Sequence, residues 1–129
     1  MDFNQAIRAH AAWKMKLSVY LAKPDGSLKV ADIEPDNRCA LGQWIYAEGQ
    51  KLAQFPEFTA LRNEHTRFHT CAASIVKKAD SGQNMTEETA LGADSEFSRS
   101  SAAVIAAIMT MKRKTEPAPS LATASSPRR

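Results

Sequence analysis

The chain has 129 residues, 43% of them hydrophobic, and a formal net charge of +3. That length encloses one full-sized core, so metal is not needed merely to compensate for small size. The mild charge, with Lys and Arg interleaved among Asp and Glu, leaves no basic stripe to follow a nucleic-acid backbone, and the longest apolar run, 102–109, is far too short to span a bilayer.

Ala and Leu outnumber Val and Ile, which favours helix over strand. The apolar positions of 2–23 (Phe3, Ala6, Ile7, Trp13, Leu17, Tyr20 and Leu21 among them) recur mostly at helical spacing. Asp2 caps this predicted helix, and Pro24-Asp25-Gly26-Ser27 ends it as a turn. Residues 28–38 contain Pro35 and several acids and read as a loop with room for one turn of helix. A short helix is predicted over 40–48, with Leu41, Trp44 and Ile45 on one face and Gly49 after its end.

Pro56 suits the first turn of a long helix over 56–79, which stops at Ser81-Gly82. Phe58, Leu61, His65, Phe68, Ala72, Ile75 and Val76 line one side of it. Thr86 caps the last predicted helix, 86–114, with Glu87 and Glu88 at its positive end and Lys112-Arg113-Lys114 at its negative end. Residues 115–129 are rich in Pro, Ala and Ser and read as a disordered tail or linker. The expected architecture is all-α: a four-helix bundle or close variant over 1–114, with an additional short helix carrying a cysteine.

The chain owns three histidines and two cysteines, and four of these five form one plausible set: His10, Cys39, His65 and His69. Zn²⁺ prefers four ligands drawn from imidazole and thiolate. His65 and His69 stand one helical turn apart, so both rings can converge on one ion. Cys39 lies at the start of the short helix, where free amide N–H groups and the helix dipole favour a thiolate. Each residue also has an ordinary reading: a hydrogen-bonded core histidine, a chance pair on a helix face, a small buried hydrophobe.

Four protein ligands leave no open coordination position, so a structural or regulatory zinc fits better than a hydrolytic one. Glu64 precedes the histidine pair instead of lying inside it, so the metallopeptidase template fails and no enzyme is expected. Cys71 reads as packing, and Trp13 and Trp44 as core that walls the metal. Two cysteines with no secretory signal make no disulfide framework and point to the reducing cytoplasm. Zinc ligation requires neutral imidazoles and a thiolate, so metal is expected to leave as pH falls through the imidazole range.

His10-Ala-Ala-Trp13-Lys14, Cys39-Ala-Leu41-Gly42-Gln-Trp44 and His65-Thr-Arg-Phe-His69 together resemble the chemoreceptor zinc-binding (CZB) domain. The motifs cover roughly residues 3–78, and the helical layout extends the likeness to Lys114. The resemblance implies a helical zinc domain ligated by His10, Cys39, His65 and His69. It also implies attachment to a cytoplasmic chemoreceptor or diguanylate cyclase, frequent homodimers, and a response to zinc or to oxidants such as hypochlorous acid. No coiled-coil signalling segment or cyclase domain accompanies these motifs, so the chain reads either as a stand-alone member or as part of a larger signalling protein. A structural zinc in a protein–protein interaction module is the competing reading.

Overall fold

The computed structural model describes residues 1–83 and 85–115, and every regular element among them is helical. The first rod consists of α1 (Phe3–Ala11) and α2 (Trp13–Ala22). Asp2 caps α1 by accepting the Gln5 N–H at 3.0 Å. The single helix expected over 2–23 is divided at Ala12, although the backbone ladder crosses the break through Ala12 N–H to Arg8 carbonyl and Lys16 N–H to Ala12 carbonyl. The break falls two residues after His10, whose Nδ1 bonds the Ala6 carbonyl, the kind of side-chain intrusion that bends a helix.

α3 (Val30–Ile33) is the one helical turn for which the loop had room. α4 (Ala40–Ile45) ends three residues earlier than expected and is followed by a 3₁₀ turn, Glu48–Leu52. α5 (Pro56–Asp80) is the longest element, with Pro56 in its first turn. Its C-terminus closes as a Schellman motif: Gly82 has φ 81°, its N–H bonds the Ala79 carbonyl, and Gln83 N–H bonds the Lys78 carbonyl.

The last expected helix is also corrected. It is two elements, α6 (Glu87–Leu91) and α7 (Glu96–Thr115). Gly92 leaves the helix with ψ 168°, and Ser95 restarts it by accepting the Ser98 N–H at 3.1 Å. A glycine weakens helix propagation, and a serine cap three residues on gives the chain a new start. Thr115 belongs to α7; the rest of the expected tail, 116–129, lies outside the described residues.

α5 is the axis of the fold: α7 packs along it, α2 and α3 lie against it, and α1 packs on α7. Phe58, Leu61, Phe68, Phe97, Val104 and Ile108 fill the space between the long helices. Each such side chain contributes about 1.5–3 kcal/mol on burial. α4 is docked by Trp44, whose ring meets Phe3 of α1 at 5.3 Å and Phe58 of α5 at 6.1 Å in edge-on contacts. α4 therefore bridges α1 and α5, and Cys39 at its start lies beside the histidines.

Gly42, in α4, has no room for a side chain, because a Cβ there would overlap the Asp36 carbonyl and press on the Asn37 backbone. Gly42→Ala is expected to lower stability by about 1–3 kcal/mol, the usual cost of overpacking, and to displace the start of α4. Denaturant unfolding with and without zinc checks this: the loss should be larger in the presence of zinc.

Candidate metal centre

Four side chains from three separate parts of the chain converge. His10 lies in the last turn of α1, Cys39 caps α4, and His65 and His69 occupy successive turns of α5. One ligand atom from each lies within 4.8 Å of every other. The Nε2 atoms of His65 and His69 are 3.0 Å apart, and Cys39 Sγ is 3.2 Å from the first and 3.6 Å from the second.

These separations suit a zinc ion. A tetrahedron with zinc–nitrogen bonds of about 2.0–2.1 Å and a zinc–sulfur bond of about 2.3 Å has edges of roughly 3.3 Å between nitrogens and 3.6 Å from nitrogen to sulfur. The outer ring nitrogens agree. His10 Nδ1 lies 2.8 Å from the Ala6 carbonyl and His69 Nδ1 2.7 Å from the Ile33 carbonyl. Carbonyls only accept, so both Nδ1 atoms donate and both Nε2 lone pairs face the cluster, the arrangement found behind metal-bound histidines. His65 Nδ1 is buried without a partner.

Burial sets the protonation states. It lowers the pKa of His65 to about 3 and moves those of His10 and His69 in the same direction, so all three rings are neutral at pH 7. The Ala6 and Ile33 carbonyls oppose the shifts at His10 and His69. Burial also pushes the Cys39 thiol up, opposed by N–H groups at the α4 start, among them Gly42 N–H at 3.4 Å from Sγ. A divalent cation reverses that balance and favours the thiolate.

Asp36 is the residue that sequence reasoning missed. Its carboxylate accepts from the hydroxyls of Thr66, on α5 beside His65, and Tyr46, just after α4. Burial pushes the Asp36 carboxyl up, but these two hydroxyls together with the nearby His65 and His69 rings hold it below the usual range. The Pro35-Asp36-Asn37 turn marked Asp36 only as a loop residue. Asp36→Ala removes the bonds that tie the turn before Cys39 to Thr66 of α5 and to Tyr46, and is expected to weaken zinc binding by up to about tenfold, the worth of roughly one hydrogen bond, with helix content unchanged. Competition with a chelating dye measures it.

The other sequence expectations sort themselves. Cys71 is half-buried against the core and outside the cluster, as expected of packing. Glu64 pairs with Arg67 at 3.3 Å on the surface of α5. The aromatic wall of the cluster comes from Phe68, whose ring centroid is 5.1 Å from that of His10 and 5.8 Å from that of His69. Trp13 instead carries the Lys16 ammonium over its ring, 4.6 Å from the centroid.

The family model of the chemoreceptor zinc-binding domain, CZB, matches residues 10–76, more than half of the chain. The chain belongs to this family of zinc-binding regulatory domains, and the matched segment opens on His10 and contains the whole cluster. It is a zinc-binding domain. No curated protein and no solved structure matches the chain.

Proposed function

We propose that this domain is a regulatory switch in which His10, Cys39, His65 and His69 hold one zinc ion and Cys39 reports on its state. One asymmetry carries the reading. The three histidines are 3%, 0% and 5% exposed, two of them inside the 25-residue α5 and the third near the end of α1, whereas Cys39 is half-buried as the cap of the six-residue α4. Loss of the sulfur ligand, by zinc withdrawal or oxidation, frees α4 and its flanks while α5 and α7 stay packed.

In this reading the domain acts in the cytoplasm, as a homodimer, on a chemoreceptor or diguanylate cyclase partner in cis or in trans. It adjusts a bacterial output such as chemotaxis or cyclic-di-GMP synthesis in response to zinc or to oxidants such as hypochlorous acid. Four protein ligands leave no position for a substrate, so the zinc is regulatory and not hydrolytic. Among the described residues no helix is long and apolar enough to cross a membrane.

Hydrogen exchange with and without zinc tests the switch. Zinc removal should cost protection in 28–55 and leave the middle of α5 and α7 protected. Uniform loss, or none, would instead favour a structural zinc in an interaction module, the second reading, which draws its support from the deep burial of the three histidines.

A further inference from the structure

A hollow of about 190 Å³ opens beside the cluster between α1 and the start of α4. Its deep end is formed by His10, Cys39 and Leu41, and Asp2, Gln5, Ala9 and Ala40 form an exposed rim. Ala6 lies between them, the exposed Met1 also lines the rim, and the Asp2 carboxylate, already accepting the Gln5 N–H, stands at the mouth.

We infer that this hollow is the port through which small, uncharged electrophiles reach the zinc-bound sulfur of Cys39, and that Gln5 and Ala9 set its size limit. The inference rests on the reading of Cys39 as the reporting ligand and adds how that ligand is reached. The volume accepts a molecule of a few heavy atoms. The apolar walls and the single carboxylate disfavour anions, so a neutral oxidant enters more readily than its conjugate base or a polycarboxylate chelator.

For hypochlorous acid the step balances without another reactant: thiolate plus HOCl gives sulfenic acid plus chloride. Sulfur loses two electrons, chlorine gains them, and the oxygen and its proton stay with sulfur. The neutral product is a poorer zinc ligand than the thiolate.

The test uses the zinc-loaded full chain treated with hypochlorous acid or with N-ethylmaleimide, and peptide mass spectrometry scores Cys39 against Cys71 as internal reference. Gln5→Trp and Ala9→Phe narrow the port at two exposed positions, and Gln5→Ala widens it. The narrowing variants should keep one zinc per chain and slow reaction at Cys39 by roughly tenfold or more. Gln5→Ala should speed the bulkier maleimide more than the oxidant, and Cys71 should be unaffected throughout. Unchanged Cys39 rates in both narrowing variants, each with full zinc, would overturn the port while leaving the zinc site standing. Wild-type chain that holds no zinc would overturn the reading beneath it as well, and metal stoichiometry tells the two failures apart.

Discussion

Cys39→Ala should weaken zinc binding by more than the roughly 10–100-fold that the loss of an outer-shell partner costs, because it removes a ligand outright. The long helices α5 and α7 should survive. The large buried side chains of the long helix at the site, Phe58, Leu61 and Phe68, do not depend on the sulfur. Residual binding should come from the three histidines, whose convergence is set by α1 and α5. Cobalt(II) makes the outcome visible: wild type should show thiolate-to-cobalt charge-transfer absorption, and the variant should lack it while keeping a weaker, histidine-bound spectrum. Full retention of zinc affinity in Cys39→Ala would remove Cys39 from the site and the switch with it.

Acid is the second large effect, and its sign follows from burial. His65 titrates near 3 in the folded domain and at the ordinary 6.5 when unfolded, and His10 and His69 are shifted the same way. Between those values the unfolded chain binds more protons than the folded one, so stability rises with pH in that window. The metal-free domain should therefore be insensitive from about pH 6.5 up to the onset of thiol ionisation, and lose a few kcal/mol, from His65 alone, as pH falls toward 3. The denaturant midpoint against pH checks this.

Zinc binding behaves differently. The imidazoles are already neutral near pH 7, so only the Cys39 thiol yields a proton, and affinity should change by about tenfold per pH unit around neutrality. Calorimetry in buffers of different ionisation enthalpy should find close to one proton released per zinc. A value near zero would mean that the thiolate exists before the metal arrives. The further loss from imidazole protonation then begins below the ordinary imidazole range.

The helices were legible where side-chain periodicity wrote them. Pro56, Ser81-Gly82 and Thr86 marked their ends correctly, because each acts through local backbone chemistry. The two breaks were less legible. At Ala12 the apolar pattern continues across the interruption, and at Gly92 a single glycine inside helical periodicity competes with many favourable neighbours. Residue types named the cluster because few other side chains suit zinc. Its supports were hidden because two of them, the carbonyls of Ala6 and Ile33, are backbone groups every residue possesses. Asp36 was hidden for another reason: its importance lies in meeting Thr66, thirty residues away.

His10 and His65 are fifty-five residues apart in the chain and neighbours at the cluster, with ring centroids 5.1 Å apart. An ion held by both closes the intervening chain into a loop, as a crosslink does, and withdraws closure entropy from the unfolded ensemble. The first rod then cannot separate from α5 until a coordinate bond breaks. The lifetime of the loaded domain is governed by metal departure, and its half-life against proteases in the cell should lengthen or shorten with zinc supply. Oxidation that releases the ion would thus also start a clock on the protein's own survival.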